Sequence, residues 1–151
     1  MKWSITSGLF LVIILSACST KSDVDRYIAS NPEVYAQGEQ VYAQNCASCH
    51  GINGEGQFPD APMERDDTGR LGAPPHNENG HTWHHDDDLL YEIVREGGMG
   101  DPAMFYPMPA FAEQLTAEQI EAVIFYIKGF WTQEQREQQQ SMTDAVRSQG
   151  Q

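Results

Sequence analysis

Basic residues are scarce in this chain: nine Lys and Arg stand against 22 Asp and Glu, a formal net charge of −13. So acidic a surface repels phosphate backbones, which excludes nucleic acid as a partner, and it gives no electrostatic hold on anionic lipid. Cysteine is scarce too, at three residues, an odd number that no closed set of disulfides uses up. There is no phosphate-binding glycine loop, and Gly54-Glu55-Gly56 reads as a turn. No Ser/His/Asp set or carboxylate pair points to hydrolysis, so no enzymatic role and no small-molecule substrate are expected. Long apolar runs are also missing. Ile5 to Leu15 is almost wholly apolar, yet it falls short of the ~20 residues that span a bilayer as a helix.

That short run suits the hydrophobic part of an export signal, with Lys2 ahead of it and Leu15-Ser16-Ala17-Cys18 behind it. Small residues leading to a cysteine match the bacterial lipoprotein box, in which the cysteine is lipidated and becomes the new N-terminus. The competing reading is an ordinary secretory signal with an incidental cysteine. Residues 1–17 are therefore expected to be a lipoprotein signal peptide and Cys18 a lipid site, leaving enough chain for one domain with a modest core. Residues 18–32 are polar and weakly periodic and read as a tether.

The other two cysteines stand in Cys46-Ala47-Ser48-Cys49-His50. Two thiols two residues apart with a histidine directly after them form the attachment pattern for c-type haem. Each thiol can add to one haem vinyl group, and His50 can serve as an axial ligand of the iron. A thioredoxin-like pair would need a βαβ context, and no strand-rich pattern surrounds this site. A zinc site completed by two of His76, His81, His84 and His85 needs a longer separation than a compact finger has.

Helical spacing runs from Glu33 to Asn45, with Val34, Gly38, Val41 and Tyr42 on one stripe. Asn31-Pro32 supplies the start, and Gly38 costs about 1 kcal/mol against alanine inside a helix. That glycine is either merely tolerated or there to let a second helix approach closely, with Tyr42 as packing partner. Residues 52–79 carry repeated Gly and Pro and read as a long irregular segment. His81-Thr82-Trp83-His84-His85 reads either as a solvated run or as a metal-binding patch. Asp86 to Asp88 open a helix with Leu89, Leu90, Ile93 and Val94 on its inner face, and Gly97-Gly98 stop it. Thr116 and Gln119 form a capping box before Ile120, Val123, Ile124 and Ile127, and Gly129 ends that helix. A second capping signal, Thr132 to Gln135, opens residues 132–151, a polar C-terminal extension with little apolar face. It reads as a solvated helix or frayed tail, with docking of a partner as the alternative.

A second axial ligand is sought among Met63, Met99, Met104, Met108 and the downstream histidines. Pro107 and Pro109 bracket Met108 and push it and Tyr106 towards extended geometry, presenting a thioether from a stiff loop. Met104 ranks second, and His81 or His85 third.

Gly38-x-x-Val41-Tyr42 leading into Cys46-x-x-Cys49-His50-Gly51 resembles the N-terminal helix and haem site of class I monohaem cytochromes c. The resemblance covers about Glu33 to Trp131 and implies an all-α fold, a few helices wrapped around one covalent haem c in a domain of residues 33–131. It implies that Gly38 and Tyr42 meet Tyr126, that Pro74 or Pro75 accepts a hydrogen bond from His50, and that Met108, in a Met-Pro-x-Phe pattern, is the distal ligand. In some relatives a tryptophan donates to a haem propionate, a role open to Trp83. The function implied is electron transfer between redox partner proteins, here at the bacterial cell envelope, with the membrane reached through the N-terminal lipid and the chain facing the periplasm. Two alternatives stand beside it: an electron-entry subunit of a larger redox enzyme, and a haem protein in which His76, His81, His84 and His85 also handle copper or zinc.

Overall fold

The computed structural model of the chain describes residues 22–62 and 64–150. Cys18 and the signal segment, along with Met63, lie outside the described residues. Six α-helices appear in order: α1 (Asp23–Ser30), α2 (Pro32–Asn45), α3 (Ala47–His50), α4 (Asp87–Glu96), α5 (Ala117–Lys128) and α6 (Gln133–Gln149), with a 3-10 turn at Thr82–His84. Among the described residues β-structure is limited to isolated bridges, Arg65 with Leu71 and Leu71 with Phe105. The all-α expectation holds.

The frame is the crossing of α2 and α5, the most extensive helix contact among the described residues. Gly38 is the crossing point. A Cβ there would strike the Ala122 carbonyl oxygen and lie 2.7 Å from Tyr126 Cβ, so only hydrogen fits. Tyr42 is buried beneath it with its ring 5.3 Å from that of Tyr126. On the expected α2 stripe Val41 and Tyr42 are buried but Val34 is 38% exposed; Tyr35 packs inward instead, against Tyr126 and Phe125. At about 100° per residue Tyr35 lies within about 20° of Tyr42, on the side of α2 that meets Tyr126, whereas Val34 lies on the Val41 side.

The capping box of α5 forms as read, Thr116 with Gln119. Gly129 ends the helix with φ −65°, so its value is not a left-handed turn. A Cβ there would sit 2.7 Å from Tyr35 Cε2.

Both polar ends differ from expectation. Residues 23–30 are a capped helix and not a tether: Ser22 and Asp25 form a capping box, and Tyr27 stacks on Phe125 at 4.6 Å while its hydroxyl donates to the Phe125 carbonyl. The C-terminal extension forms a helix that is mostly solvated, as expected, but one face of it is docked. Gln139 and Thr143 on α6 are fully buried, and Gln139 Nε2 donates to His85 O (3.1 Å) and Asp87 Oδ1 (2.7 Å). Arg136 on the same helix donates to the carbonyls of Lys128 and Trp131 and pairs with Asp23. An apolar-face criterion misses docking made of hydrogen bonds.

Candidate functional site

Cys46 closes α2 by donating its N–H to Tyr42 O and then accepts from the N–H groups of both Cys49 and His50. The five-residue motif is thus one helical turn that brings the two thiols and the imidazole to one end of α2. Both thiols are free; Cys46 is buried and Cys49 exposed. Burial, reinforced by the nearby Cys49, pushes the Cys46 thiol up to about 11. Gly51, at φ +80°, breaks the turn, and its carbonyl accepts from the Tyr42 hydroxyl at 2.9 Å. The residue that packs the helix crossing also fixes the exit of the motif.

His50 is buried, and its Nδ1 lies 2.9 Å from Pro74 O. A carbonyl only accepts, so Nδ1 carries the proton and Nε2 keeps its lone pair. Burial, only partly opposed by that hydrogen bond, holds the imidazole below its ordinary range and hence neutral. A neutral ring with a bare Nε2 is the form that binds iron. Of the two prolines weighed from sequence, Pro74 does this work. Pro75 O instead accepts from the Thr82 hydroxyl at 3.3 Å.

The irregular segment after the motif is held by few, specific bonds. Gly56 N donates to His50 O at 2.7 Å, and Gly54 O accepts from His76 N at 2.7 Å and Asn77 N at 3.0 Å. Gly54 and Gly56 both have positive φ, which only glycine adopts without strain. Trp131, just beyond α5, donates its indole N–H to His76 O at 2.8 Å.

On the distal loop Met108 is half-buried against the core, whereas Met104 and Met99 are 41% and 58% exposed. Its backbone is tied to the end of α4: Gly98 N donates to Met108 O at 3.1 Å, and a Cβ on Gly97 would approach that oxygen to 2.8 Å. Phe111 is buried and its N–H bonds back to α4 carbonyls, so Met108 sits on a loop pinned at both sides. From sequence the two glycines read as a helix stop; their second use as the seat of Met108 left no signal there. A further brace was also missed. Leu71 N donates to Met104 O, Tyr106 N donates to Leu71 O, and the Tyr106 hydroxyl donates to Asp66.

The four other histidines do not converge. His76 Nδ1 is 2.9 Å from Thr82 Oγ1, the His81 ring meets His85 at 5.4 Å, and His84 packs on Trp83 at 3.7 Å. Among the described residues no group of three or more His, Cys, Asp or Glu side chains is placed to hold a metal ion. The copper- or zinc-handling alternative therefore has no assembled site there: His81 and His85 face each other, but no third ligand joins them. Trp83 donates its indole N–H to Gly80 O at 2.9 Å, which occupies the donor expected to serve a propionate.

The donor set fits haem c: two unpaired thiols on one turn, an adjacent neutral imidazole with its free nitrogen set by Pro74, and a thioether on an anchored loop. Residues 35–131 match the sequence model of the family described as cytochrome c. No curated protein sequence matches the chain significantly. In fold it is similar to the crystal structure of cytochrome cL from the marine methylotrophic bacterium Methylophaga aminisulfidivorans MPT, with a TM-score of 0.51 and 15% identity over 89% of this chain and 85% of that one. With the family match covering well over half of the sequence and the helix crossing and Cys-x-x-Cys-His turn in place, the chain belongs to the cytochrome c family as a class I monohaem member, an electron-transfer protein whose cofactor is covalently bound haem c.

Proposed function

We propose that this cytochrome is a lipid-anchored electron carrier of the bacterial envelope, facing the periplasm, and not an enzyme. Cys46 and Cys49 would hold the haem through thioether bonds, and His50 and Met108 would ligate its iron. Bound haem c supplies a one-electron couple. The chain's own residues do the rest. Pro74 fixes the proton on His50 Nδ1 and leaves Nε2 to the iron, while the Pro107 and Pro109 frame holds Met108 extended. Two protein ligands to the iron would leave no position for oxygen or a substrate, which favours outer-sphere transfer. Cys18 carries the lipid, after a signal of residues 1–17.

The observation that supports the haem-carrying part of this reading is the His50–Pro74 hydrogen bond, which commits one imidazole nitrogen and frees the other. The test is Met108→Ala. Haem should stay with the denatured polypeptide on acidified-solvent extraction, since Cys46, Cys49 and His50 are untouched. The ferric sulfur-to-iron band should vanish, the reduction potential should fall, and carbon monoxide should bind. Met104→Ala should change none of these. A retained sulfur band in Met108→Ala would transfer the ligand role to another methionine, and a wild-type spectrum of bis-histidine type would overturn the axial assignment.

A further inference from the structure

His76 takes no part in the function as described so far, yet more of the site converges on it than on any other loop residue. Its ring stacks on the His50 ring with centroids 4.0 Å apart and planes 22° from parallel. The edge of Tyr42 faces it from α2 at 6.3 Å. Its backbone N–H donates to Gly54 O, and its carbonyl accepts from Trp131.

The rotation of the ring is also determined. The Thr82 hydroxyl has one proton, and Pro75 O, 3.3 Å away, can only accept it. The same oxygen therefore accepts from His76 Nδ1–H at 2.9 Å. Thr82 is buried, and Gly80 allows this close approach, because a Cβ there would collide with the Pro75 carbonyl. One hydroxyl thus ties His76 to Pro75, the neighbour of the proline that holds His50.

We propose that His76 is a positioning residue that sets the plane of the His50 ring. This rests on the reading of His50 as the iron's axial ligand. The Pro74 bond fixes one edge of the imidazole but permits the ring to swing about the line from that edge. The stacked face of His76, locked by Thr82 and Trp131, supplies the second constraint and removes that freedom. The plane of an axial imidazole governs how unpaired spin is distributed over a ferric low-spin haem, so the constraint has a direct spectroscopic readout.

The experiment uses the haem-loaded protein as its ferric cyanide adduct. Cyanide replaces the distal ligand with a cylindrical one, so the order of the haem methyl proton shifts reports the histidine plane alone. His76→Ala is expected to change that order, and His76→Phe, which restores a stacked ring, to return it towards wild type. Thr82→Val keeps the stack but frees its rotation, and is expected to give a change in the same direction and smaller. A wild-type methyl order in His76→Ala overturns the proposal, because Pro74 would then suffice; should that variant fail to accumulate, a wild-type order in Thr82→Val overturns it equally. Absence of hyperfine-shifted His50 ring signals in the unmutated protein would instead defeat the axial assignment, whatever the variants do.

Discussion

At Gly38 a single hydrogen atom decides whether the two principal helices can meet. Alanine is the better helix former by about 1 kcal/mol, so on propensity alone Gly38→Ala should stabilise. The added Cβ would strike Ala122 backbone, which cannot swing aside as a side chain can. Over-packing of that kind costs about 1–3 kcal/mol and should win, more so for valine. Urea unfolding should show Gly38→Ala less stable than the parent; an equal or higher midpoint would mean that the crossing can relax. The glycine was legible in the sequence as an oddity inside a helical stripe, and Tyr126 followed from the family resemblance. Ala122 was not legible, because a backbone carbonyl leaves no mark in side-chain pattern. The Asp66–Tyr106 pair had no signal at all, being two residues far apart in irregular segments. The Tyr106 hydroxyl, and after it the Thr68 hydroxyl, hold the Asp66 carboxyl well below the usual carboxylate range. Its folded value is thus lower than its unfolded one. Whatever stability the pair adds is present above about pH 4 and is lost as pH falls through the folded value. Tyr106→Phe should raise the Asp66 titration towards the ordinary range in a carbon-13 carboxyl titration, and an unchanged midpoint would refute the pairing.

Among the elements, the two that sequence patterning misjudged are joined to each other. Helix α1 and helix α6 share Arg136, whose guanidinium pairs with Asp23, lies 4.8 Å over the Tyr27 ring and donates to two carbonyls at the end of α5. A cation at a helix C-terminus is favoured by the dipole as well as by the orphan carbonyls. Hydrophobic periodicity registers none of this, since the docked face of α6 presents Arg136, Gln139 and Thr143. The starts of α4, α5 and α6 were all legible, because Asp86, Thr116 and Thr132 carry their capping bonds within three residues; it was the docked face of α6 that was not. Arg136→Ala removes one side chain that serves three elements, at an expected cost of about 1–3 kcal/mol. Hydrogen exchange should show α1 and α6 losing protection together while α2 and α5 keep theirs. Loss confined to one of the two helices would show that Arg136 does not couple them.

For the whole molecule, the strong negative charge and the membrane pull in opposite directions. Anionic headgroups repel a chain with net charge −13, and among the described residues no helix is long and apolar enough to cross a bilayer. The membrane contact proposed above therefore rests on the lipid at Cys18 and not on the described residues. Each buried methylene contributes on the order of 0.8 kcal/mol, so several acyl chains hold firmly where charge cannot. Because α1 already begins at Asp23, only a few residues separate that lipid from the folded domain. With the proposed anchor at Cys18, the domain would be held close to the membrane surface, which would confine the partners it can reach. Cys18→Ser should move the cytochrome from the membrane fraction to the soluble fraction, or leave its signal uncleaved. The haem should be unaffected, since its proposed attachment lies at Cys46 and Cys49. Intact mass of the mature protein discriminates the outcomes: an N-terminal cysteine bearing acyl mass in the parent supports the anchor, and an unmodified cysteine or cleavage elsewhere removes it.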